Sequence, residues 1–342
     1  MSWLPEVPGV LSAGQVQATV AAVAAEQSAD GMLPWWRGGQ LDAWDSVEAA
    51  MALTVGGRPD RAAAALDWLC ARQLPSGGWP AEWRRGAVTQ PGVEANHAGY
   101  LAVGVLHHAL VTGGSGARWW PHVRAALDLV CRMQLPSGGI GWALRPDGTP
   151  DDVALVTGSS SLLQALRCGS ALAGALGEEA PGWVTAADEL QRALRSRPGA
   201  FADRARFSMD WYYPVLGGAL TGAAAEARLA ASWDAFVVPG LGVRCVADRP
   251  WVTGAETCEL AIALAAAGQS DAATEQLAAM QHLRHDDGGY WTGYVFADDA
   301  IWPVERTTWT AAAVVLAADA LSGATPGSTL FTDPAFLATE PR

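Results

Sequence analysis

Six segments of the chain gather acids, hydroxyls and aromatic rings just ahead of stretches that carry almost no charge. They are Asp42, Trp44, Asp45 and Glu48; Glu94, Asn96, His97 and Tyr100; Thr157 with Ser159, Ser160 and Ser161; Asp210 with Trp211, Tyr212 and Tyr213; Glu256, Thr257 and Glu259; and Glu305, Thr307, Thr308 and Trp309. Carboxylic acids confined among aromatic rings keep their protons to unusually high pH, because burial penalises the charged form. Such groups serve as proton donors near neutrality, and with a second, ionised carboxylate they do general acid and base work. Asp45 and Glu48 lie three residues apart, as do Glu256 and Glu259, which puts each pair on one helix face. Asp210 is a single acid set among three rings. Helix capping explains any one of these segments, since Asp, Ser, Thr and Asn favour N-termini and Glu a first turn. Six together, several with two acids, point to a shared floor.

Other candidates sit in loops. Asp298 and Asp299 lie in the last long loop, where an acid pair suits a metal, a proton donor or a solvated turn. The chain has 17 Trp against 5 Tyr and 6 Phe. Trp36, Trp79, Trp142, Trp251, Trp291 and Trp302 fall in glycine- and proline-punctuated loops, and with Trp44 they are expected to wall a cavity. His97 is the histidine expected inside it. No second His or Cys follows at ligand spacing, so no metal and no cofactor is expected. Phosphate loops, dinucleotide fingerprints and serine-hydrolase elbows are absent from the sequence.

The elements that must position these groups are legible from a repeat. Gln73-Leu-Pro-Ser-Gly-Gly-Trp79 returns as Gln134-Leu-Pro-Ser-Gly-Gly-Ile-Gly-Trp142, more loosely between Gln281 and Trp291, and in outline between Gln27 and Trp35. Each copy ends an amphipathic stretch, turns on glycine, and leads through a loop into an uncharged one. Helical periodicity predicts amphipathic helices over Gly14–Gln27, Pro59–Arg72, Arg118–Met133, Val184–Arg197, Ala223–Phe236 and Asp271–Leu283. Between them lie apolar helices over Trp44–Val55, Asn96–Val111, Gly158–Leu176, Asp210–Leu220, Glu256–Ala267 and Glu305–Leu321. A helix apolar all round must be surrounded by protein, whereas a striped one can face water. The expected architecture is therefore all-α: an (α/α)6 toroid, six inner helices ringed by six outer ones. Residues 1–322 form one domain, and 323–342 a tail read as a loop or strap on the surface. Every inner helix starts at the long-loop end, so its free N–H groups and dipole point at the cavity floor.

Composition narrows the classes. The net charge of −13 and a pI near 4.8, with no basic cluster beyond Arg84-Arg85, exclude a nucleic-acid partner. Half the residues are hydrophobic, yet no apolar run is long enough to cross a membrane. The first residues lack a basic and then apolar leader, so a cytoplasmic location is expected. Five cysteines without close spacing read as packed thiols.

The Gln-x-x-x-Gly-Gly-Trp segments, each following an outer helix, resemble the repeats of the terpenoid cyclase and protein prenyltransferase α/α toroids, squalene-hopene cyclases in particular. That resemblance implies the toroid and an isoprenoid substrate that an aspartate protonates, with Trp and Tyr faces stabilising the cation. The cyclases' Asp-x-Asp-Asp has its nearest counterpart in Phe296-Ala297-Asp298-Asp299, which lacks the leading Asp; by that match Asp298 donates the proton beside Asp299. The prenyltransferases' zinc-binding Asp-x-Cys is absent. Six-hairpin glycosidases and the related sugar epimerases and lyases are also similar. They imply opposed carboxylates, for which Asp45, Asp210 and Glu256 come from different hairpins. The expected function is a cyclase-type isoprenoid enzyme. A carbohydrate-active enzyme is the alternative, and a non-catalytic binding toroid the second. The expected acids are Asp210, Asp45, Glu256, Asp298, Asp299 and Glu305. The remaining polar and aromatic groups named above, Glu48, Asn96, His97, Tyr100, Ser160, Trp211, Tyr212, Tyr213, Glu259, Thr308 and Trp309 among them, are expected to bind a small-molecule substrate.

Overall fold

A computed structural model describes residues 4–333. Its helices are α1 (Ala13–Glu26), α2 (Ala43–Val55), α3 (Pro59–Cys70), α4 (Ala95–Thr112), α5 (Trp120–Arg132), α6 (Val156–Leu176) and α7 (Pro181–Ser196). They continue as α8 (Ser208–Leu216), α9 (Ala223–Ala231), α10 (Trp233–Phe236), α11 (Gly254–Ala266), α12 (Ser270–Ala279), α13 (Thr308–Ser322) and α14 (Thr329–Thr332). The uncharged helices α2, α4, α6, α8, α11 and α13 pack side by side in that order, and α13 returns to α2. The ring is closed. Helices α1, α3, α5, α7, α9 and α12 pack outside it, each on an inner neighbour. The inner helices are buried on nearly every side, which is why their sequences hold Ala, Gly, Leu and Val where a surface helix holds charge.

The repeat has a mechanical role. The Gln27, Gln73 and Gln134 side-chain amides each donate to a glycine carbonyl of their own loop and to a carbonyl of the next outer helix. The second acceptors are Arg61, His122 and Ala186, at 2.9, 2.9 and 3.0 Å. Each staple satisfies two backbone acceptors and ties one hairpin to the next. The turn glycines press on the same neighbour. Gly288 has φ +91°, and a Cβ there would meet the Ala18 carbonyl of α1 at 2.6 Å. The last repeat thus closes on the first helix. Gln281 departs from the pattern: its amide donates within its own helix, to Leu277, and its carbonyl accepts from Tyr290.

Four expectations need correction. Inner helix four ends at Leu216 rather than Leu220, because Pro214 lies inside it and Gly217 must pass close to the Ser160 backbone. Its outer partner breaks at Ser232 into α9 and α10. The long loops also carry two small antiparallel sheets. One is β1 (Gln40–Leu41), β2 (Glu82–Arg84) and β3 (Ala87–Gln90). The other is β4 (Val237–Val238), β5 (Gly242–Arg244), β6 (Trp251–Thr253), β7 (Gly293–Val295) and β8 (Ala300–Ile301). The tail lies only partly on the surface as far as it is described. Leu330 is fully buried against the inner helices, Gln164 donates to its carbonyl, and Asp319 of α13 accepts from the Thr325 amide at 2.9 Å and its hydroxyl at 2.6 Å. Residues 323–333 therefore plug the ring at the end opposite the long loops, while 334–342 lie outside the described residues.

Candidate active site

At the long-loop end the first turns of five inner helices converge on two acids. Glu48, one turn into α2, accepts from the Trp44 indole at 2.9 Å, and Tyr100 of α4 and Trp309 of α13 are within hydrogen-bonding reach of it. Glu259 of α11 accepts from the hydroxyls of Tyr212 and Tyr213, both on α8. The rings interlock: Trp44 lies 5.2 Å from Tyr100 and 5.9 Å, edge-on, from Tyr213. Both acids are about 4 % exposed. Burial raises the Glu48 carboxyl to about 7 and holds Glu259 well above the ordinary carboxylate range, the neighbouring Glu48 charge adding to the second effect.

Asp45 stands one turn before Glu48 on α2 and is half-buried. It is surrounded by protein on its other sides, so desolvation first, and then the charges of Asp42, Glu48 and Glu259, raise it well above an ordinary aspartate. Asp42 is the fixed member of this group. Its carboxylate caps α2 by accepting from the Asp45 amide at 2.8 Å and takes the Trp35 indole at 3.0 Å. A protonated Asp45 also shares a hydrogen bond with it. His97 Nε2 lies 4.0 Å from Asp42 and 3.6 Å from Glu94, while its Nδ1 is buried without a hydrogen-bond partner among the described residues. Across the ring, Glu256 occupies the first turn of α11, 5 % exposed, beside the Cys245 thiol that hydrogen-bonds it. Among the described residues no cluster of three His, Cys, Asp or Glu side chains is placed to hold a metal ion.

Two cavities lie at this end of the ring. The smaller, about 210 Å³, is walled by Trp44, Asn96, Trp142, Phe207 and Asp210. The larger, about 660 Å³, lies between the end of α1 and the loop before α13, with Trp36, Trp291, Glu305 and Thr308 in its wall. Asp45 stands in the ring between them, since Trp44 walls one and α13, the neighbour of α2, walls the other.

Several expected site residues do other work. Asp298 and Asp299 are exposed at the tip of the β7–β8 hairpin, where Asp299 takes φ +51° and accepts from Tyr294 at 2.7 Å. Trp79 is fully buried and donates to the Leu69 carbonyl at 2.8 Å, so it is core rather than wall. Trp211 turns outward, stacked on Phe236 at 5.3 Å. Ser160 returns its hydroxyl to the Val156 carbonyl within its own helix. Trp251 and Trp302 pack edge to face at 5.0 Å on the rim, outside either cavity. Asp210 accepts both the amide and the hydroxyl of Thr157, which fixes the start of α6 and leaves the acid at the edge of the smaller cavity. Burial raises its pKa. The sequence placed Cys245, which lies beside Glu256, among the packed thiols and did not single out Arg204, in the wall of the smaller cavity. Both sit in connecting segments with no periodicity to betray where they point.

The raised acids make stability depend on pH. Glu48 titrates near 4.5 when free and at about 7 in the fold. A carboxyl raised by folding contributes stability that is complete below the free value and is lost as pH rises through the folded one. Unfolding free energy should therefore fall between about pH 4.5 and 7, with Glu48 accounting for up to about 3 kcal/mol. Glu48→Gln should make that slope shallower in urea titrations across the window, leaving the part that Asp45 and Glu259 contribute; a slope as steep as in the parent protein would reject the assignment.

Solved structures agree on the (α/α)6 fold. A glycosidase superposes with a TM-score of 0.70 at 17% identity, covering 91% of this chain and 97% of that one. A D-mannose isomerase gives 0.65 at 11% identity over 92% and 99%, and a sugar epimerase from a ruminal bacterium 0.66 at 11% over 89% and 97%. No family model matches the chain. It is, however, 52% identical over 330 residues to the MMP endo-(1,4)-3-O-methyl-α-D-mannosidase of Mycolicibacterium hassiacum, an alignment covering 96% of this chain and 92% of that enzyme. The chain belongs to that enzyme's family. The expected isoprenoid cyclase is thereby overturned: the relative is a glycosidase, and the glutamine–tryptophan repeat that suggested a cyclase is a staple of the toroid. Among the described residues no helix is long and apolar enough to cross a membrane.

Proposed function

We propose that this protein is an endo-acting glycosidase that cleaves α-(1,4) bonds between 3-O-methyl-D-mannose units, with Asp45 as general acid and Glu256 as the carboxylate opposite it. The observation that carries this reading is the placement of a half-buried, proton-holding aspartate on α2 and an acid in the first turn of α11, on the ring of a chain that aligns over nearly all of an endo-mannosidase. Glu259 is less suited to the second role. Both its oxygens accept tyrosine hydroxyls and burial keeps it protonated, whereas Glu256 lies one turn nearer the mouth.

The reaction follows from these positions. Asp45 delivers its proton to the glycosidic oxygen as the bond to C1 breaks, so the departing sugar leaves as a neutral alcohol. Glu256 meets the opposite face of C1, either directly as nucleophile or through a water whose proton it takes; the anomer of the first product distinguishes the two. Asp42, held by the α2 amide and Trp35, lies beside Asp45 and favours its protonated state. Trp44, Tyr100 and Tyr213 present ring faces and edges suited to sugar C–H surfaces.

The methyl ether supplies the specificity test. It replaces a hydroxyl donor with apolar surface, which suits walls made of Trp, Phe, Ala and Val better than a polar cleft does. Incubation with α-(1,4)-linked 3-O-methylmannan should yield internal fragments by mass spectrometry, and the unmethylated polymer should react about tenfold or more slowly in kcat/KM. Absence of any cleavage of the methylated polymer would sink the proposal.

A further inference from the structure

The larger cavity lies away from the acid pair, at the end of α1, and its composition is that of a ligand site. Trp36 and Trp291 supply rings, with the Arg306 guanidinium over one face of Trp291 at 5.3 Å; Ala25 and Val304 supply apolar surface, and Glu26, Asp287 and Glu305 supply carboxylates. The Glu305 carboxylate accepts no hydrogen bond from any described residue, and burial alone raises its pKa. Its volume of about 660 Å³ falls within the range typical of small-ligand pockets. An unpartnered acid between aromatic walls suits a ligand that brings hydroxyl donors and apolar faces together, which is what a saccharide does.

A run of indoles leads from the cavity towards the acid centre. Trp36 lies 6.2 Å from Trp35, and Trp35 lies 6.2 Å from Trp309. Trp309 reaches Glu48, and Trp35 holds Asp42. The Trp35 carbonyl accepts from the Thr308 amide at 2.8 Å, which locks this loop to the start of α13. A sugar chain lying along these rings would pass from the larger cavity towards Asp45.

We propose that this cavity is a distal saccharide subsite, which grips a stretch of the substrate chain away from the bond being cut, with Trp36 and Trp291 stacking on sugar faces and Glu305 accepting from a hydroxyl. The proposal rests on the endo-glycosidase reading, and it recasts Glu305 as a binding rather than a catalytic group. Its consequence is length dependence: only a long chain occupies the pit and the subsite together.

The test compares 3-O-methylmannan with short oligosaccharides of the same linkage, by kcat/KM for cleavage and by calorimetric affinity in Asp45→Asn. In Trp36→Ala and in Glu305→Gln the long-over-short ratio should fall about tenfold in both measurements, as expected when an aromatic or hydrogen-bonding anchor is removed. Ala25→Trp, an exposed helix position that fills the groove without removing a core contact, should do the same, which guards against a folding defect in the other two. An unchanged ratio in Ala25→Trp and in either of the others would overturn the subsite. If the parent protein cleaves nothing, the functional reading fails on that arm. The affinity ratio still decides the subsite, and equal affinity for long and short chains, or none for either, rejects it.

Discussion

Asp45→Asn should lower kcat on the methylated polymer by about 10²- to 10⁴-fold while the protein folds normally, the loss usual when a general acid is removed. Asparagine keeps the shape of the side chain, and its amide can still donate to Asp42, as the protonated aspartate does. It also removes a group that burial and three neighbouring acids hold above its ordinary pKa, so the variant should be at least as stable at neutral pH. Binding should change little, since the substitution removes a proton delivered only as the bond breaks. The diagnostic is the leaving group. An aryl oligosaccharide with a nitrophenyl leaving group needs no proton on departure, and on that substrate the variant should recover most of the lost rate. The pH profile carries the same information with a definite sign. A general acid works in its protonated form, so wild-type kcat should decline as pH rises, with a midpoint well above that of a free aspartate.

Glu256→Gln should cost a similar factor in kcat, but without recovery on the activated substrate, because the group opposite C1 is needed whatever the leaving group. Glutamine fills the same volume in the first turn of α11, where the acid is almost fully buried, so lost activity would not reflect a cavity. Glu259→Gln is the contrasting variant. One of the two tyrosine hydroxyls loses its oxygen acceptor there, and the expected effect is on stability and on ring positions more than on the bond-breaking step. Comparing the two glutamates by circular dichroism and by turnover on both substrates assigns each its role.

The ring was legible because the fold writes itself into sequence twice: in the alternation of striped and uncharged helices, and in the glutamine whose amide needs a turn glycine and a neighbouring helix at fixed spacing. The acid floor was legible as a set for a related reason. Helix starts at Asp45, Glu256 and their neighbours are polar where the helices they begin are not. What composition does not carry is the direction in which a large side chain points. Trp79 and Trp211 carry the same local pattern as Trp44 and Trp142, but the first pair turns into packing between helices and the second faces a cavity. The acid pair Asp298-Asp299 looked like chemistry because adjacent carboxylates are costly together, yet at an exposed hairpin tip water screens them. The repeat misled about the substrate for a physical reason as well: a motif that ties hairpins together is indifferent to what the cavity holds.

The account depends most on Asp45 and Glu256 acting together on one glycosidic bond from two sectors of the ring that α13 separates, and the double variant Asp45→Asn/Glu256→Gln tests this directly. Residues that act as a unit lose their activity once, so kcat of the double variant on 3-O-methylmannan should fall to about the level of the worse single variant. Losses that multiply, or a single variant that keeps kcat within a few-fold of the parent, would contradict the pairing.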